Sequence, residues 1–213
     1  MTQPEVLQLI LTISIIVVVV ALCFGILVYV FQSIALYSIS KRRKLGTSAF
    51  AWIPVLSSFK FGQITDDAIV NKSGTKTYFR VLLPIFYLVG MILTSISSSM
   101  ITAGLGDMSQ LAQLIANQDY DALAKIFEQL VYSEGFIIGV VIGVLGYFLS
   151  LIAAVLDYIC VYHIYKSCSG KYVVFFVLTL LFNVLCPFFL FALCKKVNPK
   201  WYKPKDGFVG AEV

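Results

Sequence analysis

The sequence predicts an all-α integral membrane protein, and three observations predict it. Thirty-five consecutive residues, Val6 to Ser40, carry no charge, whereas a helix needs roughly 20 apolar residues to cross a bilayer core. Only 13% of the 213 residues are charged and mean hydropathy is +0.92, against about 25% charge in a typical soluble domain. The net charge of +5 is also unevenly placed, with basic and acidic residues in different connecting segments. Together these predict one membrane domain of three full transmembrane helices. Around them the sequence places a C-terminal hairpin or kinked fourth span, an interfacial segment and an extracytoplasmic amphipathic helical cap.

Span one covers residues 6–38. No Lys or Arg precedes it, and it far exceeds the roughly 7–15 apolar residues of a secretory h-region, so it reads as an uncleaved span. Residues 41–80 follow as a cytoplasmic basic segment. It holds eight basic residues, led by Lys41-Arg42-Arg43-Lys44, against Asp66 and Asp67. Within it, residues 49–59 form a short apolar stretch broken by Pro54. Eleven residues are too few to cross, and Trp52 and Phe59 suit the head-group boundary. Asn71 to Gly74 reads as a polar turn.

Span two covers residues 81–102. Residues 104–135 differ in kind, with five acidic residues and a single Lys125. Leu123, Ile126, Phe127, Leu130 and Val131 recur at i, i+3, i+4, i+7 and i+8, which predicts an amphipathic helix. A shorter partner is expected at Met108 to Ala116, with Asn117-Gln118-Asp119 as the break between them. Span three covers residues 136–164. The last apolar run, 172–194, holds Asn183 and Pro187 near its middle, and residues 195–213 form a basic tail. The charge rule puts 41–80 inside, 104–135 outside and the N-terminus outside. A full crossing of 172–194 would carry the tail lysines out. A hairpin turning near Asn183–Pro187 would keep them in. A short internal echo fits the hairpin. Tyr37-Ser38-Ile39-Ser40-Lys41 and Tyr162-His163-Ile164-Tyr165-Lys166 each close a span, and each precedes an apolar segment with a proline.

At these residues the chain resembles an uncharacterised group of small multi-pass membrane proteins of Gram-positive-type bacteria. The matching elements are Tyr37-x-Ile39-x-Lys41-Arg42, Ala51-Trp52-Ile53-Pro54, Gly62-x-Ile64-x-Asp66, Tyr162-x-Ile164-Tyr165-Lys166 and Pro187 to Phe191. Ser57 stands where relatives often carry Asn. The resemblance implies a bacterial cytoplasmic membrane and brings no activity with it.

Few residues point to chemistry. Asp157 lies inside span three, where a carboxylate must face protein or water. With Tyr158, His163 and the span-two hydroxyls Ser95, Ser98 and Ser99 it forms a candidate intramembrane polar site. The alternative is a structural pairing for Asp157 and helix packing for the hydroxyls. Gly135, Gly139, Gly143 and Gly146 form a small-residue ridge for helix packing, with either span two or another subunit as its partner. Asp66 and Asp67 read as charge balance for Lys72 and Arg80. Lys41, Arg42, Arg43, Lys44, Lys195 and Lys196 are expected to contact anionic lipid head groups of the inner leaflet. The five cysteines show no CxxC and read as buried or reduced thiols. No zinc-protease, nucleophile-elbow, phosphate-loop or dinucleotide motif is present, and His163 is the sole histidine, so no enzyme, cofactor or metal is expected. Nucleic acid has no support. The expectation is a non-enzymatic interaction, accessory or assembly component with a protein partner or a second copy. The alternative is a small transporter or channel subunit using Asp157 and the Ser/Thr-rich span.

Overall fold

A computed structural model describes residues 3–105, 117, 120–198 and 200–203. Among them all regular structure is helical. The helices are α1 (Gln3–Arg42), α2 (Pro54–Ser73), α3 (Phe79–Leu105), α4 (Tyr120–Val131), α5 (Glu134–Cys168), α6 (Tyr172–Leu181) and α7 (Cys186–Leu193). Short 3-10 turns occupy Ser48–Trp52 and Asn183–Leu185. Three helices are long and apolar enough to cross a membrane: Thr12–Arg42, Phe79–Gly104 and Glu134–Cys168. These correspond to the three expected spans: the second and third extend a few residues beyond 81–102 and 136–164 at both ends, and the first starts later than residue 6 and ends four residues beyond residue 38. The expected helix at Met108 to Ala116 lies outside the described residues. Its amphipathic neighbour is present as α4.

The chain divides into two compact units, Met1–Val81 with Tyr158–Val213, and Leu82–Asp157. In the first, the buried core includes Ala35, Leu36, Ile39, Phe61, Ile64, Ile164, Tyr165, Leu190 and Leu193. Phe31 of α1 packs on Phe188 and Phe191 of α7, with ring centroids 5.1 and 5.0 Å apart. The other end of α1 is different. Every residue from Thr12 to Leu27 is exposed.

Helix α2 departs from the expected pattern. The apolar stretch 49–59 does not stand alone. Pro54 occupies the first turn of a 20-residue helix, where its missing N–H costs nothing, and the helix ends at Gly74 with φ 72°. Its buried residues run from Lys60 to Ala68 with only Gln63 left out, polar and apolar side chains interleaved. Ahead of it, the Tyr29 hydroxyl donates to the Trp52 carbonyl at 2.6 Å, fixing the 3-10 turn to α1.

The run from Tyr172 to Leu193 is broken at Phe182 to Leu185 into two short helices. Phe175 of α6 meets Phe189 of α7 at 5.3 Å. Beyond α7, the Asn198 N–H donates to the Ser167 carbonyl at 3.0 Å and its amide nitrogen to the Lys166 carbonyl at 3.1 Å. The chain after α7 therefore lies beside the end of α5.

In the second unit α3 and α5 pack through glycine. A Cβ at Gly139 would sit 3.1 Å from Met100 Cβ, one at Gly143 2.5 Å from Ser97 Oγ, and one at Gly146 3.0 Å from the Thr94 nitrogen. On the facing helix, a Cβ at Gly90 would lie 2.8 Å from Ser150 Oγ. The ridge thus belongs to an intramolecular seam with span two. Gly135 has nothing within 4 Å and is not part of it.

Candidate functional site

The polar residues of the first unit converge where α1 ends. Arg43 is 7% exposed, although the basic cluster containing it was expected at lipid head groups. Its guanidinium lies 3.6 Å from Asp67 Oδ2 and donates to Ser167 Oγ at 2.7 Å and to the Ile64 carbonyl at 3.3 Å. It also stacks on the Tyr202 ring at 4.2 Å. Tyr202 in turn donates its hydroxyl to Asp67 Oδ2 at 3.0 Å, and Asn71 donates to Oδ1 at 3.0 Å. One buried ion pair, fully hydrogen-bonded, joins α1, α2, α5 and the chain beyond α7. Burial above all pushes the Tyr202 phenol up from its ordinary range.

Asp66 does something else. Its carboxylate accepts from Thr77 Oγ1 at 2.6 Å and from the backbone nitrogens of Phe79 and Arg80 at 3.0 and 3.1 Å. It caps the first turn of α3, whose N–H groups lack intrahelical partners and favour negative charge. Gly62 permits the approach: any Cβ there would press on the Phe79 carbonyl, with Arg80 N only 2.6 Å away. The Asp66 and Asp67 carboxylates are therefore a helix cap and an arginine partner, not charge balance for Lys72 and Arg80.

Lys60 is also fully buried. Its ammonium donates to Gln63 Oε1 at 2.7 Å, Ser40 Oγ at 3.2 Å and the Leu45 carbonyl at 3.4 Å, and to the Gly46 carbonyl. These bonds hold the turn in which Lys44, Gly46 and Thr47 have φ of 53°, 56° and 45°. Burial lowers the Lys60 pKa.

The residues of the expected intramembrane site each have their own local surroundings. Asp157 is half-buried and accepts a hydrogen bond from Tyr87 of α3. Ser95 and Ser99 donate to the carbonyls of Met91 and Ser95 on their own helix, at 2.8 and 3.0 Å. Ser98 is exposed, and its carbonyl accepts from Thr102. Tyr158 is half-buried. His163 packs edge-on against Tyr162 at 5.5 Å. Lys41, Lys44, Lys195 and Lys196 are exposed. Arg42 donates to the Cys194 carbonyl at 3.2 Å. None of the five cysteines forms a disulfide, and no group of three metal-ligating side chains occurs among the described residues.

Sequence reasoning missed Lys60, Trp201 and Tyr202, and gave Arg43 a lipid-facing role in place of its buried one. Their partners lie up to 159 residues away in the chain, and no local pattern marks them.

No protein family matches this chain, and no curated protein or solved structure is significantly similar to it. The reading of its role rests on geometry alone.

Proposed function

We propose that this is a non-enzymatic membrane component that works by associating with other membrane spans, either a second copy or a partner protein. The observation that carries this is α1. From Thr12 to Leu27 it is apolar and exposed on all sides. Ala21 and Gly25 lie one turn apart on it in a groove with Val18, Leu22 and Ile26, and a Cβ at Gly25 would meet nothing within 4 Å. Small residues at that spacing let two helices approach closely in lipid. The glycines of α5 cannot serve this purpose, because α3 of the same chain covers Gly139, Gly143 and Gly146. The polar groups of the first unit hold its segments together, and among the described residues they make no convergent catalytic set.

The test uses two differently tagged copies of the full chain, co-expressed and recovered in mild detergent. Gly25→Leu is expected to abolish co-recovery of the second copy, or of a stoichiometric partner. Val20→Leu, on the opposite face, leaves it intact. Equal behaviour of both variants and the parent would remove the reading.

The proposed setting is a bacterial cytoplasmic membrane with the N-terminus outside and α4 in an outer cap. The run 172–194 is proposed as a re-entrant hairpin, supported by the bonds from Asn198 to Lys166 and Ser167. Transport is the second reading, favoured only by the Tyr87–Asp157 pair within two spans. If it holds, Asp157→Asn removes flux through reconstituted protein without lowering thermal stability.

A further inference from the structure

The lysines of the first unit are not equivalent. Lys166 and Lys72 come from α5 and α2 and meet over one aromatic ring. Their ammonium nitrogens lie 3.7 and 4.7 Å from the centroid of Trp201. Lys166 is further held by the rings of Tyr162 and Tyr172, at 5.1 and 5.8 Å. Each ammonium has three N–H donors. The hydrogen bonds they make are few and long: Lys166 to the Tyr162 hydroxyl at 3.4 Å, Lys72 to the Lys200 carbonyl at 3.5 Å. Among the described residues no carboxylate lies within 4 Å of either. The nearby carboxylate, Asp67, is engaged with Arg43 and Tyr202.

Two like charges on one indole repel, and aromatic faces attract each cation without neutralising it. Between them is space. A pocket of about 100 Å³ lies there, its wall mostly apolar, with Ala68, Ile69 and Trp201 beside Lys72, Lys166 and Ser167. That is about three waters at ~30 Å³ each, enough for a phosphate group. A tetrahedral anion can offer separate oxygens to two ammoniums from different helices, and lysine binds phosphate as a point charge. Basic pockets beside interfacial tryptophan also suit lipid head groups.

We propose that Lys72 and Lys166, positioned by Trp201, form a binding site for a phosphate group, carried either by an anionic phospholipid or by a small soluble phosphate. The site lies apart from the exposed α1 groove, and the association test on Gly25 neither supports nor removes it.

Trp201 is the reporter. The chain has two tryptophans, so Trp52→Phe isolates its emission. The full chain is placed in phosphatidylcholine nanodiscs and titrated with inorganic phosphate, and separately in discs containing increasing phosphatidic acid. The expected result is a saturable change in Trp201 emission in at least one series. A response to phosphate alone identifies a soluble ligand, and a response to phosphatidic acid alone identifies a head group. Lys72 is exposed, so Lys72→Gln keeps the fold and is expected to weaken the response about tenfold, the loss of one charge-assisted contact. Lys166→Gln gives the same direction. Lys125→Gln, exposed on α4, leaves it unchanged. No saturable response in either series, or a Lys72→Gln titration identical to the parent, would overturn the site.

Discussion

Arg43 is the residue on which the first unit turns. It is a charge removed from water, and its cost is offset only while Asp67, Ser167 and the Ile64 carbonyl stay in place. Removing one partner strands the other. Asp67→Ala or Arg43→Ala is expected to lower stability by about 3–5 kcal/mol, read by thermal or denaturant unfolding in detergent. The Arg43→Met/Asp67→Leu double variant should lose much less than the sum of the two single changes. Strict additivity would show that the pair is not coupled. Tyr202 adds a pH signature. Its folded pKa is raised, chiefly by burial, so its contribution is complete below the ordinary tyrosine value of about 10 and is lost as pH rises above it. Lys60 has the opposite sign: its depressed pKa makes the fold gain as pH rises toward about 10.4. The clean measurement is therefore a comparison. Tyr202→Phe should unfold less steeply with alkali above pH ~10 than the parent does. Parallel pH profiles would sink the assignment. These residues were illegible in the sequence for a physical reason. Lys60, Thr65 and Asp67 look like a solvated helix face, and only partners at residues 40, 43 and 202 make them a buried one.

At the scale of elements, the three spans were legible because lipid demands length and apolarity, which Val6 to Ser40 displays without any partner. The glycine ridge of α5 was legible as a spacing, but its partner was not. Gly90 and Thr94 on α3 become its counterparts only once the two helices have a register. That register makes unequal demands on the ridge. Gly143→Leu must push Ser97, and α3 with it, away from α5, an overpacking cost of typically about 1–3 kcal/mol. Gly135→Leu and Val140→Leu should be close to neutral in a thermal-shift assay. If Gly135→Leu proved as damaging as Gly143→Leu, the seam would not run through Gly139, Gly143 and Gly146. Helix α2 was missed because Pro54 reads as a breaker inside an apolar stretch, whereas it starts a helix whose stop signal, Gly74, lies twenty residues on.

For the whole molecule the open quantity is which side of the membrane each segment faces. Impermeant thiol labelling of intact cells decides it, in a background where the five native cysteines are replaced. Asn117→Cys is expected to react from outside and Ser73→Cys to be protected. Lys203→Cys separates the two descriptions of the last apolar run. Protection fits a hairpin, and the bonds from Asn198 to the end of α5 favour it. Labelling from outside would mean that the run crosses completely, and the echo between residues 37–41 and 162–166 would then have no topological meaning.

The Arg43 joint also carries a consequence for the order of events at the ribosome. Residues 82–157 are contiguous, so their unit can close as soon as α5 has emerged. The other unit waits for Tyr202, which covers a guanidinium made 159 residues earlier. Until then Arg43 and Asp67 face each other without their lid, in a chain already threaded into lipid. A nascent chain stopped before Asn198 should therefore be cut rapidly near residues 44–47 in a protease pulse, while the finished chain resists.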